Sequence, residues 1–523
     1  MASTTTAQTT DTVTSPRGVT DAQLRSFIRD VYTKESPRNV FSMYVTGGGT
    51  TAIEWVFTVA GASQSLMDAG VVYARSSLEQ FIHKYTKPNE DISFCSTATS
   101  VMMADAAWTR AAELYLADTR NFGDLATVNF FGISCTAALV SDRPKKGPHR
   151  VHIASSSQVR SHAYTVSFEK GARTRVQEDA ACSRLILDAV AECSGVPALP
   201  RDYLLADAAD QSAPAADAPA TTGAERARAT EVVDVAIMGR EDVVDRLLTK
   251  RVKQAIFVKK VDGDGNAVAS TTDSLTDDFV VLEDATLPPG CLVFPGSFNP
   301  LHEGHVGLVV AALQKLSGDA AAGSVNVNVP IVFEIAAINA DKPPLLREEV
   351  VRRVRQFDPH TNPVLKAAGL TNIAVAITTE PLFLGKTSLF KHSTFLIGSD
   401  TLVRMINPKY YGPPAPSPEV AAGEVTTDEE RRLYEQKVHA TVSMLSILAE
   451  RGCRFVVGGR TASVAAAAGV DASSTFDTMP AVLASAPVPL PADLLGALFV
   501  GLSEEEFRVD LSSTEIRART PLG

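Results

Sequence analysis

Apolar residues along this chain fall into short blocks and helical stripes, separated by polar or small-residue stretches. Phe41 to Val45 and Cys291 to Phe294 are short apolar runs that end in turn residues, and each reads as a buried strand. A helical spacing follows each of them, from Ala52 in the first case and over Val306 to Leu316 in the second. Asp428 to Gly452 reads as one helix with an acidic start and a glycine stop. Glu231 to Lys250 also spaces its apolar residues as a helix does, and Val261 to Asn266 reads as a hairpin turn. The Asp-Gly-Asp-Gly-Asn of that turn lacks the remaining ligands of a calcium loop.

These blocks divide the chain. Residues 1–20 are polar, as a disordered tail is. Residues 21–205 alternate helical and strand-like stretches and read as a first α/β domain. Residues 206–285 read as a linker and connecting segment, with an Ala/Pro/Asp-rich part from Asp207 to Thr230. Residues 286–523 read as a second α/β domain with a Rossmann-like parallel sheet, carrying insertions at Tyr411 to Thr427 and Thr461 to Leu483. At 523 residues the chain exceeds one ordinary hydrophobic core.

Charge and cysteine usage narrow the partners. Against 49 Lys and Arg stand 60 Asp and Glu, for a formal charge of −11 with no basic block. That argues against a nucleic-acid partner, which needs a basic face. No apolar run reaches the length of a membrane span, and the N-terminus lacks the apolar core of a signal peptide. The six cysteines are scattered with no CxxC pair, so neither a protein-held metal nor a disulfide framework is expected, and a reducing, cytoplasmic compartment is.

The candidate chemistry centres on Gly296-Ser297-Phe298-Asn299-Pro300-Leu301-His302-Glu303-Gly304-His305, which joins the strand at Cys291 to the helix at Val306. A helix N-terminus offers free N–H groups and the positive end of its dipole, and so attracts phosphate. Side chains three apart on a first turn lie on one face, so His302 and His305 can reach one anion together. That suits a reaction in which negative charge builds on phosphate.

The same ten residues resemble the HxGH signature of the nucleotidyltransferase superfamily, and their GSFNP form is similar to the nicotinate and nicotinamide mononucleotide adenylyltransferases. Three further segments follow in family order. Phe395 to Leu402 resembles the strand ending in IGxDxL, Arg454 to Arg460 resembles the VVxxR strand, and Leu511 to Arg517 resembles ISSTxIR. Ser512 and Glu515 also fit a plain capping box. The resemblance implies adenylyl transfer from ATP to a pyridine mononucleotide, a step of NAD biosynthesis, with Mg²⁺ bridging the phosphates and held mostly by substrate and water. It implies that His302, His305 and Arg517 act in catalysis. Gly296, Ser297, Phe298, Asn299, Gly304, Gly398, Asp400, Ser512, Ser513 and Thr514 would then line the nucleotide, with Lys342 and Arg347 as further phosphate contacts. Phosphopantetheine adenylyltransferases and cytidylyltransferases share these motifs, so the acceptor stays open. A class I aminoacyl-tRNA synthetase would require a KMSKS-type loop and a basic face, which this chain lacks. A non-catalytic nucleotide-binding scaffold is the remaining alternative.

The first domain carries its own signal. After the strand at Phe41 come Thr46, Gly47, Gly48 and Gly49, a glycine-rich turn into a helix that can cradle a phosphate, although a tight packing turn would read the same way. Val45 to Gly48, Phe57 to Ser63, Asp68 to Tyr73 and Val128 to Ala154 resemble the C-terminal domain of the competence-damage-inducible (CinA) family, whose patterns are ESCTGG, LTxxPGAS, GGxVxY and TGIAGP. That family includes nicotinamide mononucleotide amidases. Here Tyr44 stands where the pattern has its Ser, Met43 where it has Glu, and Leu78 where it usually has Lys. A hydroxyl nucleophile needs an activating base. The expectation is therefore a degenerate site at Tyr44, Thr46, Gly47, Gly48 and Gly49 that does not deamidate, but binds a nucleotide, holds a homo-oligomer or positions the other domain.

Overall fold

The computed structural model describes residues 19–86, 92–143, 146–200, 233–239, 241–262, 264–268, 274–317, 329–338, 343–408, 427–461, 476–486 and 489–508. The chain separates into two units: one takes the residues up to Leu114 and Val128–Arg240, the other Tyr115–Thr127 and everything from Glu241 onward. Both are α/β, and both contain parallel strands.

In the first unit the described elements run α1 (Asp21–Thr33), β1 (Arg38–Thr46), α2 (Thr50–Thr58), β2 (Leu66–Val71), α3 (Arg75–Ile82), α4 (Thr97–Leu116), β3 (Val128–Ala138), β4 (His149–Ser157), β5 (Arg160–Phe168), α5 (Arg175–Ser194) and β6 (Val233–Gly239). Their sheet has the order β2-β1-β3-β4-β5-β6. β1 is parallel to both neighbours, and β3 to β6 form an antiparallel meander. Successive side chains of a strand point to opposite faces. Phe41, Met43 and Val45 therefore join Phe131, Ile133 and Ile153 in one core with α1, α2 and α5. Tyr44 points the other way, to a smaller cluster with Leu78 and Ile82 of α3 and Met103 and Ala107 of α4. Gly132 permits that second layer, because a Cβ there would stand 2.2 Å from the Ala104 carbonyl oxygen and the Trp108 nitrogen.

In the second unit the elements are α6 (Val243–Leu248), β7 (Gln254–Lys259), α7 (Leu275–Asp278), β8 (Phe279–Glu283), β9 (Leu292–Pro295), α8 (Glu303–Leu316), β10 (Ile331–Ala336), α9 (Arg347–Arg355), α10 (Pro363–Ala367), β11 (Ile373–Thr378), α11 (Phe383–Leu389), β12 (Thr394–Gly398), α12 (Ser399–Met405), α13 (Thr427–Glu450), β13 (Arg454–Gly458), β14 (Arg460–Thr461), β15 (Phe476–Asp477), α14 (Met479–Ala484), α15 (Ala492–Leu498) and β16 (Phe499–Gly501). The main sheet has the order β16-β13-β12-β9-β10-β11-β7-β8. From β16 to β11 all neighbours are parallel, and β7 and β8 add an antiparallel edge. The six parallel strands, counted along the chain, lie in the spatial order 3-2-1-4-5-6 of a doubly wound sheet. Leu292, Phe294, Ile331, Phe333, Ile373 and Val375 share one core with Val309, Leu313, Val350 and Val354 of α8 and α9.

Three expectations from the sequence are corrected. Glu231–Lys250 is not one helix: Val233–Gly239 is the edge strand β6 and only Val243–Leu248 is helical. The alternation of Val233, Val235 and Ile237 fits a strand as well as the helical stripe fits a helix, and pairing with β5 decides between them. Residues 206–285 are more than connecting chain, since β6 completes the first sheet and β7 and β8 the second. Tyr115–Thr127 leaves the first unit, and its segment 119–127 meets β7 and β8 with Phe122 and Leu125 buried. The Asp207–Thr230 stretch, the 1–18 tail and the Tyr411–Thr426 insertion lie outside the described residues. Among the described residues no helix is long and apolar enough to cross a membrane.

Candidate functional site

In a doubly wound sheet a crevice opens at the carboxyl ends of the strands where the order reverses. Here that point lies between β9 and β12, which pair only through Thr394–Leu292 and Phe395–Val293. The loop after β9 carries Gly296 to Leu301 and delivers His302 to the start of α8. The turn after β12 carries Gly398, Ser399 and Asp400.

His302 is the N-cap residue of α8, with extended backbone angles, and His305 lies in the first turn. Their rings stack with centroids 3.7 Å apart. The His302 backbone N–H donates to His305 Nδ1 at 3.3 Å. A ring nitrogen that accepts from an amide carries no proton, so the His305 proton sits on Nε2. Burial, reinforced by the neighbouring His302, pushes the His305 pKa down to about 3. His305 is thus a neutral imidazole with one donor, able to offer a hydrogen bond but not a full charge. The positive character of the site comes from the unsatisfied amides at the start of α8.

Phe298, expected along the nucleotide, packs in the core. It is fully buried, with its ring edge-on to Phe294, Phe333, Phe357 and His305 at centroid distances of 5.2, 5.4, 5.4 and 5.0 Å. It is a packing anchor beneath the loop. Gly296 is tied to it, because a Cβ on Gly296 would stand 2.6 Å from Phe298 Cζ. Asn299 is tied to α9: its Oδ1 accepts from Arg352 at 2.6 Å and its Nδ2 donates to Glu349 at 3.3 Å. The carbonyl of the exposed Ser297 accepts from Arg353 at 3.0 Å. Gly304 is buried in the first turn of α8. Within the motif, Phe298, Asn299 and the Ser297 carbonyl shape the loop, while His302 and His305 stand at the start of α8.

At the end of β12, a Cβ on Gly398 would meet nothing within 4 Å among the described residues. Asp400 is exposed in the first turn of α12. Ser399 is 2% exposed, yet its hydroxyl has no hydrogen-bond partner among the described residues. A buried hydroxyl left unsatisfied is uncommon and calls for a ligand or a water. Arg347, expected on phosphate, is engaged elsewhere: its guanidinium lies 2.9 Å from Asp242 and 3.6 Å from Asp245. Lys342, Ser512, Ser513, Thr514 and Arg517 lie outside the described residues. Near the last of the described chain, Phe507 approaches α8 at Gly307, where an added Cβ would be 3.6 Å from its ring.

The glycine-rich turn of the first unit is already filled. Gly47 and Gly49 have φ of +77° and +86°, and a Cβ on Gly47 would stand 2.0 Å from the Ala137 carbonyl oxygen. The amide of Gly49 donates to Asp179 Oδ1 at 2.7 Å, and those of Thr50 and Thr51 reach the same carboxylate at 3.3 Å. The Thr51 hydroxyl adds a bond of 2.8 Å. The donors expected to cradle a phosphate hold an internal carboxylate instead. Thr46 is buried in register with Thr136 of β3, and Gly48 packs within 2.6 Å of Leu139 when given a Cβ. Tyr44 packs against Phe81 with ring centroids 4.0 Å apart and tilted by 35°, and donates its hydroxyl to Asp68 at 2.6 Å. Burial, and then the Asp68 carboxylate, hold that phenol above its ordinary pKa. It stays a neutral donor, and Leu78 beside it is fully buried and brings no base.

Sequence reasoning passed over Asp179, Ser399 and the polar stripe Glu349, Arg352, Arg353 and Gln356. The stripe carried a signal in its own spacing, which places all four on one helix face. Asp179 carried none, being 130 residues from the amide it caps. Among the described residues no group of three or more His, Cys, Asp or Glu side chains could hold a metal.

No family model matches this chain, and no curated protein matches it. Among solved structures it is similar to the competence/damage inducible protein CihA from Agrobacterium tumefaciens, at 15% identity over 34% of this chain and 96% of that one, with a TM-score of 0.26. It is likewise similar to a CinA superfamily protein from Escherichia coli, at 13% identity over 35% and 92% of the two chains, with a TM-score of 0.26. A CinA superfamily protein from Enterobacter cloacae matches at 14% identity over 37% and 98%, with a TM-score of 0.25.

Proposed function

We propose that the second unit transfers the adenylyl group of ATP to the phosphate of a nicotinate or nicotinamide mononucleotide, giving the dinucleotide and pyrophosphate. The observation that carries this reading is the stacked His302–His305 pair at the start of α8, beside the crevice where the strand order reverses. In the reaction an oxygen of the mononucleotide phosphate attacks the α-phosphorus of ATP in line. The bond to the bridging oxygen breaks and pyrophosphate leaves with its electron pair. No covalent enzyme intermediate is required, so positioning and charge stabilisation account for the catalysis. His305 Nε2 would donate to a phosphate oxygen as charge grows there, beside His302 and the first amides of α8. Gly398 and the buried Ser399 hydroxyl would border the bound nucleotide. Mg²⁺ arriving with ATP would neutralise phosphate charge, held by the triphosphate and water.

Pyrophosphate release by the full chain tests this, with ATP or CTP and a panel of nicotinate mononucleotide, nicotinamide mononucleotide, phosphopantetheine and a phospho-alcohol. The reading expects ATP with a pyridine mononucleotide to be the productive pair.

For the first unit we infer a CinA-like domain that does not deamidate nicotinamide mononucleotide. The Tyr44 hydroxyl is committed to Asp68, and the amides of the glycine-rich turn are committed to Asp179. A phosphate entering that turn would have to displace a carboxylate. Assembly or domain positioning therefore fits this unit better than binding at the turn.

A further inference from the structure

We propose that Gln356 is a positioning residue for His302 and His305, its side-chain amide bridging the loop that delivers them. The inference rests on the adenylyl-transfer reading of that site. Gln356 follows the last residue of α9 and sits at its C-cap. Its Nε2 donates to the Phe298 carbonyl at 2.6 Å, and its Oε1 accepts the Leu301 N–H at 2.7 Å. One amide thus closes a staple across Asn299 and Pro300, and the residue after the staple is His302.

The staple has something to hold. Phe298 has φ of +41°, a conformation an L residue with a bulky side chain rarely adopts. Such backbone persists only where its surroundings over-determine it. Below the loop the buried Phe298 ring fixes the side chain, and above it Gln356 fixes the carbonyl. Gln356 is itself anchored, since Asn362 Nδ2 donates to its carbonyl at 2.7 Å. The rest of the α9 stripe grips the loop upstream. Arg353 holds the Ser297 carbonyl, Arg352 holds Asn299 Oδ1, and Glu349 ties both arginines together at 2.8 and 2.6 Å. Of these, Gln356 alone reaches both sides of the Asn299–Pro300 step. A glutamine suits the task because a single planar group presents one donor and one acceptor.

Catalysis by positioning is sensitive to small displacements: a shift of about 1 Å can lower turnover by roughly a hundredfold. Releasing the staple leaves the core of the unit untouched, yet frees the approach to His302. The effect should fall on turnover before it falls on stability.

The test uses the full chain with Gln356→Met, which keeps the length and loses both bonds, and Gln356→Glu, which keeps only the acceptor for Leu301. Turnover and KM for ATP are read from pyrophosphate release with nicotinate mononucleotide. The ring signals of His302 and His305, assigned with single His→Gln variants, are followed by NMR over roughly pH 5 to 8. Gln356→Met should lower kcat about 10- to 100-fold, leave the ATP KM within about twofold, and hold the melting temperature within a few degrees. Gln356→Glu should fall between it and the wild type. In Gln356→Met the His305 ring should shift and titrate closer to an ordinary imidazole as its burial loosens. Unchanged kcat with unchanged ring signals would overturn the proposal. So would a lower melting temperature with normal turnover per folded molecule, which marks a purely structural role. If the wild type releases no pyrophosphate with any acceptor, the adenylyl-transfer reading fails, and the ring signals alone decide whether Gln356 positions the histidines.

Discussion

At the scale of single residues the site depends on what each side chain is committed to. His305 is a neutral imidazole whose proton sits on Nε2, so in the proposed reaction replacing it would remove one hydrogen-bond donor. Under the proposed reaction, His305→Ala should lower kcat by roughly 10²–10³, the scale of losing one such donor. A melting curve taken beside the kinetics separates this from misfolding. The depressed pKa of His305 also has a consequence for stability. The folded state holds this ring neutral down to about pH 3, while the unfolded chain protonates it near its ordinary value of about 6.5. Between those values the unfolded state binds the extra proton, so stability falls as pH drops through that window. The penalty is absent above the upper value and complete below the lower one. His305→Gln should therefore lose less stability than the wild type between about pH 7 and pH 5, read from denaturant midpoints. Phe298→Ala belongs to another class. It empties a fully buried aromatic site and should destabilise the second unit by about 3–5 kcal/mol.

At the scale of elements, the strand–loop–helix around the histidines was legible from the sequence because two periods meet there. The apolar run at Leu292 and the helical stripe from Val306 fix β9 and α8, and the loop between them must then meet the helix N-terminus. The packing of Phe298 was not legible. A motif shows which residues stand together but not which way a ring turns, and the left-handed backbone at Phe298 sends it into the core. Val233–Gly239 was misread because a twenty-residue window with helical spacing hid a shorter alternation, and only pairing with β5 resolves it. The glycine-rich turn reads in the sequence as a phosphate cradle or a tight packing turn at the start of α2, and in the structure its amides hold a carboxylate. That Asp179 of α5 supplies the anion is a contact between distant segments, which no local pattern encodes. Asp179→Ala should leave the Gly49, Thr50 and Thr51 amides without their acceptor and destabilise the first unit by about 1 kcal/mol, within the range for lost helix caps. Asp179→Asn should lower that loss while removing the charge. If inorganic phosphate then stabilises Asp179→Asn but not the wild type, measured by melting temperature, the turn is a phosphate cradle closed by its own carboxylate.

At the scale of the whole molecule, two α/β units with different sheet orders share one chain, and among the described residues the stacked histidines stand at the switch point of the second. The strand β6 lies at residues 233–239, so a fragment ending near 205 would lose an edge of the first sheet. Activities of the two units are better separated by variants of the full chain. His305→Ala should slow the proposed transfer by that same factor of roughly 10²–10³, and incubation of the variant with nicotinamide mononucleotide should release no ammonia above a heat-denatured control. Ammonia at an enzymatic rate, lost on changing a residue of the first unit, would mean that another side chain has taken over the nucleophile's task.

The most direct measurement of the central claim is dinucleotide formation by the full chain with Mg-ATP and nicotinate or nicotinamide mononucleotide, followed together with pyrophosphate and compared with a His302→Ala/His305→Ala double variant. The account predicts one dinucleotide for each pyrophosphate in the wild type, and neither product above background in a double variant that melts normally. Equal rates in the two proteins, or transfer only to phosphopantetheine or only from CTP, would contradict it.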